Sequence, residues 1–325
     1  MKNYKPVEVY PLIESREWMK LMGELPVKMT NDYLFRALLQ SDNDTLKALL
    51  ASLLHVDVED IRTAVVMNPI MLGAAIGDKT FIMDVKVEMN DASQIDLEMQ
   101  VIREAGWTDR SLSYICRSFD QLNQGMAYIE AKPVRQIALC DFTLFKEYPG
   151  FYSTYKLINV SDMNQVYTEK FIISNVNLTR PDLATEEDKK YKLDEWCSFF
   201  KATSWEDLKM LAENNTTIGK AVSGVWQLTK EEMIREQCRA REEWLINDKW
   251  KTDTIARLSD ENEQQLNLIS RQDKELKSKD KEIKTKDKEI KSKEREIESK
   301  DKEIKSKDEE IEALKQKLEA LEKHG

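Results

Sequence analysis

The chain has 325 residues, 34% of them charged, which is enough for one sizeable domain and an appendage. Its net charge is −10; residues 251–325 hold 20 basic and 21 acidic side chains, so the first 250 carry −9, a balance that argues against tight, indiscriminate binding to DNA while leaving a local basic groove open. Two histidines and four scattered cysteines weigh against zinc sites, a Ser-His-Asp triad and a disulfide framework, and no apolar run approaches the roughly 20 residues that span a bilayer.

Residues 1–28 form a lead-in with Pro6, Pro11 and Pro26, ordered in part through Trp18 and Leu21, without a motif and without the apolar core of a signal peptide. A helical region follows from about 30 to 54, with Leu34, Leu38, Leu46, Leu49, Leu50 and Leu53 at helical spacing. Ser41-Asp42-Asn43-Asp44 interrupts it and supplies a cap for the second piece. Asp32 falls in the first turn, where the helix dipole favours an acid. Residues 61–67 read as a short strand ended by Asn68-Pro69.

Residues 79–102 are the most informative stretch. Phe81, Met83, Val85, Val87 and Met89 alternate with a polar set that includes Asp84, Lys86 and Glu88; beyond a short turn, Ile95, Leu97, Met99 and Val101 alternate with Gln94, Asp96, Glu98 and Gln100. This period of two marks two half-buried strands. If both apolar sets share a face, a three-residue turn at 90–92 or at 91–93 sets Asp84 across from Glu98 or Gln100, because a one-residue slip would invert a strand. Opposed carboxylates repel unless a cation lies between them, and a divalent ion with oxygen ligands is the natural one. A solvated acidic face explains the same pattern more plainly.

Trp107 and Thr108 introduce a helix expected over about 110–130, with Leu112, Ile115, Phe119, Leu122 and Met126 as its apolar stripe and Arg110, Arg117 and Gln121 off it, facing phosphate or water. Residues 134–139 read as a buried strand, 150–180 as further strands, and 186–250 as helices whose core includes Trp196, Phe199, Phe200, Trp205, Leu208 and Leu211. From 277 a seven-residue repeat sets Ile283, Ile290, Ile297, Ile304 and Ile311 one per heptad, with charge at the partner position. A two-stranded seam wants two apolar positions per heptad, so this one is half made, whereas acid-to-base pairs four apart such as Glu282–Lys286, Asp287–Lys291 and Glu303–Lys307 favour a long charged helix that pairs weakly at most.

Asp84 followed by Glu98-Met99-Gln100 resembles the bipartite site of the PD-(D/E)XK nuclease superfamily, and in particular its transposase-like, recombination-promoting branch, in which Gln stands at the usual Lys position. Thr30-Asn31-Asp32-Tyr33-Leu34-Phe35-Arg36, Met67-Asn68-Pro69, Arg110-Ser111-Leu112-Ser113-Tyr114 and Gly125-Met126-Ala127-Tyr128 resemble flanking segments of that branch in order, well over 28–142 and more faintly to about 250. The resemblance implies an α/β fold with an αβββαβ core, a mixed sheet flanked by helices, followed by a helical extension and a charged C-terminal helix or coiled coil. Its domains would be the lead-in 1–28, the nuclease-like domain 29–250 and the heptad helix 251–325. It implies Mg²⁺, or Mn²⁺, on Asp84 and Glu98 with help from the Met99 carbonyl, Gln100 positioning by hydrogen bond, and DNA as partner. It also suggests an acidic contribution from Asp32. Lys86 is either a substitute cation for the missing lysine or an ordinary partner of Glu88 or Asp96.

Two functions follow. One is a metal-dependent DNA endonuclease acting in the cytoplasm; the other is an interaction protein that keeps the nuclease fold and works through its tail, in a weak homo-oligomer. Acidic net charge favours the second, and retention of both acids and the glutamine in order favours the first.

Overall fold

The structure is a computed structural model and describes residues 16–68, 85–103, 106–120, 122 and 125–322, with side chains in the last helix to 315. It opens on a short 3-10 turn, Glu17–Lys20, whose Trp18 is buried. Helices α1 (Asp32–Ser41) and α2 (Asn43–Leu54) follow, divided where expected. Asn31 caps α1 by accepting from Tyr33 and Leu34 N–H, and the Asp42 carboxylate caps α2 by accepting from Asp44 N–H. Both helices are buried over most of their length, because they fill the space between the sheet and the later helices.

Strands β1 (Ala64–Val66), β2 (Val85–Met89) and β3 (Gln94–Gln100) form an antiparallel run. Helix α3 (Trp107–Phe119) crosses to β4 (Val134–Cys140), parallel to β3. Then come β5 (Tyr152–Lys156), a small hairpin of β6 (Ile158–Asn159) and β7 (Asp162–Val166), and β8 (Phe171–Asn177). The main sheet has six strands in the order β1-β2-β3-β4-β8-β5, with β4 parallel to β8 and β5 antiparallel at the edge. The αβββαβ order read from the sequence is the order of this core.

The β2–β3 pairs run from Val85↔Leu97 to Glu88↔Gln94, the register that a turn at 90–92 entails. Ala92 takes a left-handed φ of 61°, Met89 N–H donates to Ser93 O at 2.9 Å, and the Asp91 carboxylate accepts from Ser93 N–H and Oγ–H. These contacts close a three-residue hairpin and thereby set the phase of both strands. Val85, Val87, Ile95, Leu97 and Met99 are buried on the face toward α1 and α2.

Helix α3 departs from the sequence reading. It ends at Phe119, where Asp120 leaves helical ψ, and a separate 3-10 turn occupies Tyr128–Glu130. Its buried stripe is Trp107, Ser111, Ile115 and Ser118; Leu112 and Met126 are exposed. The sheet face beneath α3 is lined by polar side chains, so small serines and one indole meet it closely, and of the expected stripe Ile115 alone is fully buried.

Beyond β8, helices α4 (Glu186–Lys190), α5 (Leu193–Lys201), α6 (Trp205–Asn214) and α7 (Thr216–Lys230) complete the core. Trp196, Phe199 and Phe200 of α5 pack ring against ring at centroid separations of 5.2–6.0 Å. Such pairs add about 0.5–1.5 kcal/mol each beyond the area they bury. The segment before α1 is part of this body: Leu25 N–H donates to Thr203 O, and Gly23 N–H to the Glu206 carboxylate that opens α6. Helix α8 (Glu232–Glu322) comes last. By contacts the chain divides into two units, residues 1–249 and 250–325. In the second, the heptad isoleucines are each about half exposed, and Glu282–Lys286 and Glu296–Lys300 are ion pairs at 2.8 and 2.6 Å.

Candidate active site

Strand β3 alternates strictly. Its odd residues enter the apolar core, so Asp96, Glu98 and Gln100 share the opposite face, beneath α3. All three are buried, a costly position for acids unless compensation is at hand. Helix α3 supplies it. Arg110 Nη2 donates to Glu98 Oε1 at 2.5 Å and to Gln100 Oε1 at 3.0 Å, so one guanidinium bridges the two residues. The Arg110 Cζ lies 4.7 Å from the centroid of the Trp107 ring and 5.8 Å from that of Tyr114, two aromatics of the same helix that hold the guanidinium flat.

Gln100 is turned for this contact. Its Nε2 donates to Ile102 O at 2.6 Å, which leaves its oxygen facing Arg110. Arginine only donates, so the amide oxygen is the atom that can face it. The sequence reading gave Gln100 a positioning role by hydrogen bond; its amino group donates to the Ile102 carbonyl and its oxygen accepts from Arg110. The positive charge beside Glu98 and Gln100 is that of Arg110, on α3. Arg110 was one of three off-stripe residues in the sequence, and its spacing from Glu98 carried no signal that would have singled it out.

Glu98 also acts on its surroundings. Cys140, partnered in register with Gln100, has its thiol pushed up to about 12, chiefly by burial and further by the Glu98 charge. Lys86 stands directly across from Asp96 in the β2–β3 register, which places it as that acid's cross-strand neighbour. Asp32 is turned elsewhere: its Oδ2 accepts from Arg241 Nε at 2.7 Å and pairs with Arg241 Nη2 at 2.6 Å, in a buried ion pair that ties α1 to the start of α8. Asn31 strengthens that tie by donating to Cys238 O. His55 has a structural place, 3.0 Å from Asp188 and stacked on Tyr191.

Asp84 and Gln121 lie outside the described residues, so the proposed pairing of Asp84 with Glu98 is not part of this geometry. Among the described residues, no three His, Cys, Asp or Glu side chains form a metal-holding group. The donor set around Glu98 still suits a hard cation: a buried carboxylate and an amide oxygen, already organised about one positive charge.

The sequence model of the PD-(D/E)XK nuclease family transposases matches residues 29–256. The chain belongs to this family. No curated protein and no solved structure matches it. The match takes in the whole of the sheet and the helices packed on it. A mixed sheet flanked by helices, with an acid and an amide on the third strand of the core, is consistent with the PD-(D/E)XK fold. Nucleases of this class typically use divalent metal ions, and the family points to DNA as substrate. Among the described residues, no helix is long and apolar enough to cross a membrane.

Proposed function

We propose that this PD-(D/E)XK transposase is a metal-dependent DNA endonuclease of the recombination-promoting type, hydrolysing phosphodiester bonds in the cytoplasm. The observation that carries the reading is the Arg110 bridge between Glu98 and Gln100, a buried acid, amide and cation assembled beneath one helix. Asp84 and Glu98 would hold Mg²⁺ or Mn²⁺, with the Met99 carbonyl beside them. Asp84 is bonded to Val85, whose partner is Leu97, and Glu98 is bonded to Leu97. A divalent ion there supplies Lewis-acid polarisation of the phosphate and a more acidic water. The remaining work falls to this chain's own groups. Arg110 offers planar, permanently charged donors to a phosphate oxygen, as arginines commonly do. Gln100 fixes the guanidinium through its oxygen, and Trp107 shields one side of it.

The test is cleavage of supercoiled plasmid by purified protein in Mg²⁺, Mn²⁺, Ca²⁺ or EDTA, beside Asp84→Ala and Glu98→Ala. Cutting that requires Mg²⁺ or Mn²⁺ and disappears in both variants supports the assignment. Equal inertness of all three proteins on several DNA forms refutes it.

A second reading, a scaffold working through a weakly self-associating tail, has one observation behind it: an isoleucine at every seventh position from Ile283 to Ile311 of α8, each about half exposed. Molar mass measured by light scattering, with and without residues 251–325, tests it.

A further inference from the structure

One heptad phase holds along α8 from Ile255 to Ile311. Residues 255, 262, 269, 276, 283, 290, 297, 304 and 311 are all isoleucine or leucine, except Asn262. The apolar members are each 49–68% exposed, an open stripe. From 277 onward, duplication of one seven-residue unit is enough to account for the phase. Upstream it is not, because Ile255, Asn262 and Ile269 keep the phase through residues that do not repeat. In a lone helix of 3.6 residues per turn, a strict period of seven drifts by about 20° per heptad and winds round the surface. Such a period stays on one side only where helices supercoil about each other.

The neighbouring positions decide what covers the stripe. Three residues after its members from Leu276 to Ile304 stand Lys279, Lys286, Lys293, Lys300 and Lys307, with Leu258 and Leu314 in the same place toward the ends. Four residues after, every position from Asp273 to Asp308 is acidic. An antiparallel pair would set isoleucine against lysine in layer after layer. A parallel pair in register stacks isoleucine on isoleucine, and β-branched residues at this position favour two strands. The lysines then stand between acids. Lys286 pairs with Glu282 of its own chain at 2.8 Å, and the hole it enters on a parallel second copy is bordered by that copy's Asp287. Asn262 meets Asn262, and each amide brings a donor and an acceptor to the other. A single asparagine in such a seam fixes register and copy number at a cost in stability.

We propose that residues 255–311 are the seam of a parallel, in-register pair with a second copy of this chain, aligned by Asn262. The proposal rests on the second reading above only for self-association, to which it adds direction, register and copy number, and it holds whether or not the protein cuts DNA. Lysines fill alternate layers from 279 to 307, so the pair is weak, dissociates on dilution and is held by charge and isoleucine together. Salt screens the Lys286–Asp287 kind of contact and loosens it. Both copies of residues 1–249 enter the seam from the same end.

The experiment uses the full-length chain carrying Cys116→Ser, which removes the exposed thiol and leaves the three buried ones. Single cysteines are added as Ile269→Cys or Ile304→Cys on the stripe, or as Lys274→Cys on the far side of the helix, and each protein is oxidised in glutathione buffer. Parallel pairing should link the Ile269→Cys chains to one another and the Ile304→Cys chains to one another, and leave Lys274→Cys unlinked. An antiparallel pair cannot bring both stripe cysteines beside their twins. Sedimentation equilibrium on the cysteine-unmodified protein should show monomer and dimer in exchange. Ile283→Asp with Ile290→Asp should weaken the dimer by roughly tenfold or more, and Asn262→Val should tighten it by about tenfold while admitting larger species. A dimer that links at one stripe site only, or equally at Lys274→Cys, overturns the parallel register and leaves the scaffold reading standing. A monomeric mass at every concentration overturns both.

Discussion

Removing the Arg110 side chain isolates what the bridge does. The Glu98 side chain is 9% exposed and that of Arg110 30%. Taking one partner from a buried pair costs about 3–5 kcal/mol, because the remaining charge stays buried without compensation. Arg110 lies nearly a third open, so water follows the truncated side chain into the gap, and the cost of Arg110→Ala falls to about 2 kcal/mol. The contact with Trp107 adds about 0.5–1 kcal/mol to that loss. Glu98→Ala is not the mirror image. It leaves a guanidinium that still reaches Gln100 Oε1, the Trp107 face and solvent, so it should cost about 1 kcal/mol or less. The double variant should resemble Glu98→Ala, since an arginine is no longer required once the acid is gone.

Urea unfolding followed by tryptophan fluorescence reads all four proteins, with midpoints compared at a common slope. Adding Mg²⁺ extends the measurement: a cation that binds the exposed acid site stabilises the native state by mass action, and it should raise the midpoint of Arg110→Ala more than that of wild type. If Glu98→Ala destabilises as much as Arg110→Ala, or the double variant loses the sum of both, the guanidinium is not there to neutralise the acid and the electrostatic account of the site fails.

Three further outcomes are expected. The Asp207 carboxyl is held below its ordinary value of 3.8, first by the Thr203 N–H and then by the Ser204 hydroxyl, so its capping contribution to α6 is present above that value and lost as pH falls through the folded-state pKa; acid unfolding of Asp207→Asn should lack this step. Cys140, Cys197 and Cys238 are buried with thiols pushed up to about 12, whereas Cys116 is exposed, so a thiol reagent at pH 8 should modify one cysteine quickly and the other three only after denaturant is added. A peptide of residues 251–325 should lose helical circular dichroism as salt rises, because pairs such as Glu282–Lys286 contribute about 0.2–0.5 kcal/mol each and are screened; helicity indifferent to salt would point to apolar self-association.

How much of this was legible in the sequence depended on the range of the forces involved. The hairpin was readable because strand period, turn length and register are one local problem: once Ala92 takes the left-handed bend, Val85↔Leu97 follows. The split between α1 and α2 was readable for the same reason, with Asp42 capping the second helix. The length of α3 and its buried face were not. A leucine stripe announces an apolar environment, but this helix rests on Asp96, Glu98, Gln100 and Gln136, and the residues that suit such a floor are Ser111, Ser118 and an arginine. Local amphipathicity cannot report the polarity of a surface built from strands elsewhere in the chain.

The same reasoning bears on the acidic net charge. A body carrying −9 should repel a polyanion, yet affinity for phosphate depends on where donors stand and not on their total. At the candidate site the charges are partly spent against each other: Arg110 neutralises Glu98 before any substrate arrives, and Asp32 is cancelled by Arg241. A protein of this kind would gain little from long-range steering. Its discrimination would come from short-range contacts made after encounter, at the guanidinium. Association with DNA should therefore be slow and only weakly salt-dependent for so small a phosphate footprint, with a slope of log affinity against log salt near one or two, roughly 0.9 per phosphate contact. A slope several times steeper, measured by anisotropy from low to moderate salt, would mean that an extended basic groove on this protein engages many phosphates, and that the Arg110 site is a minor part of how DNA is held.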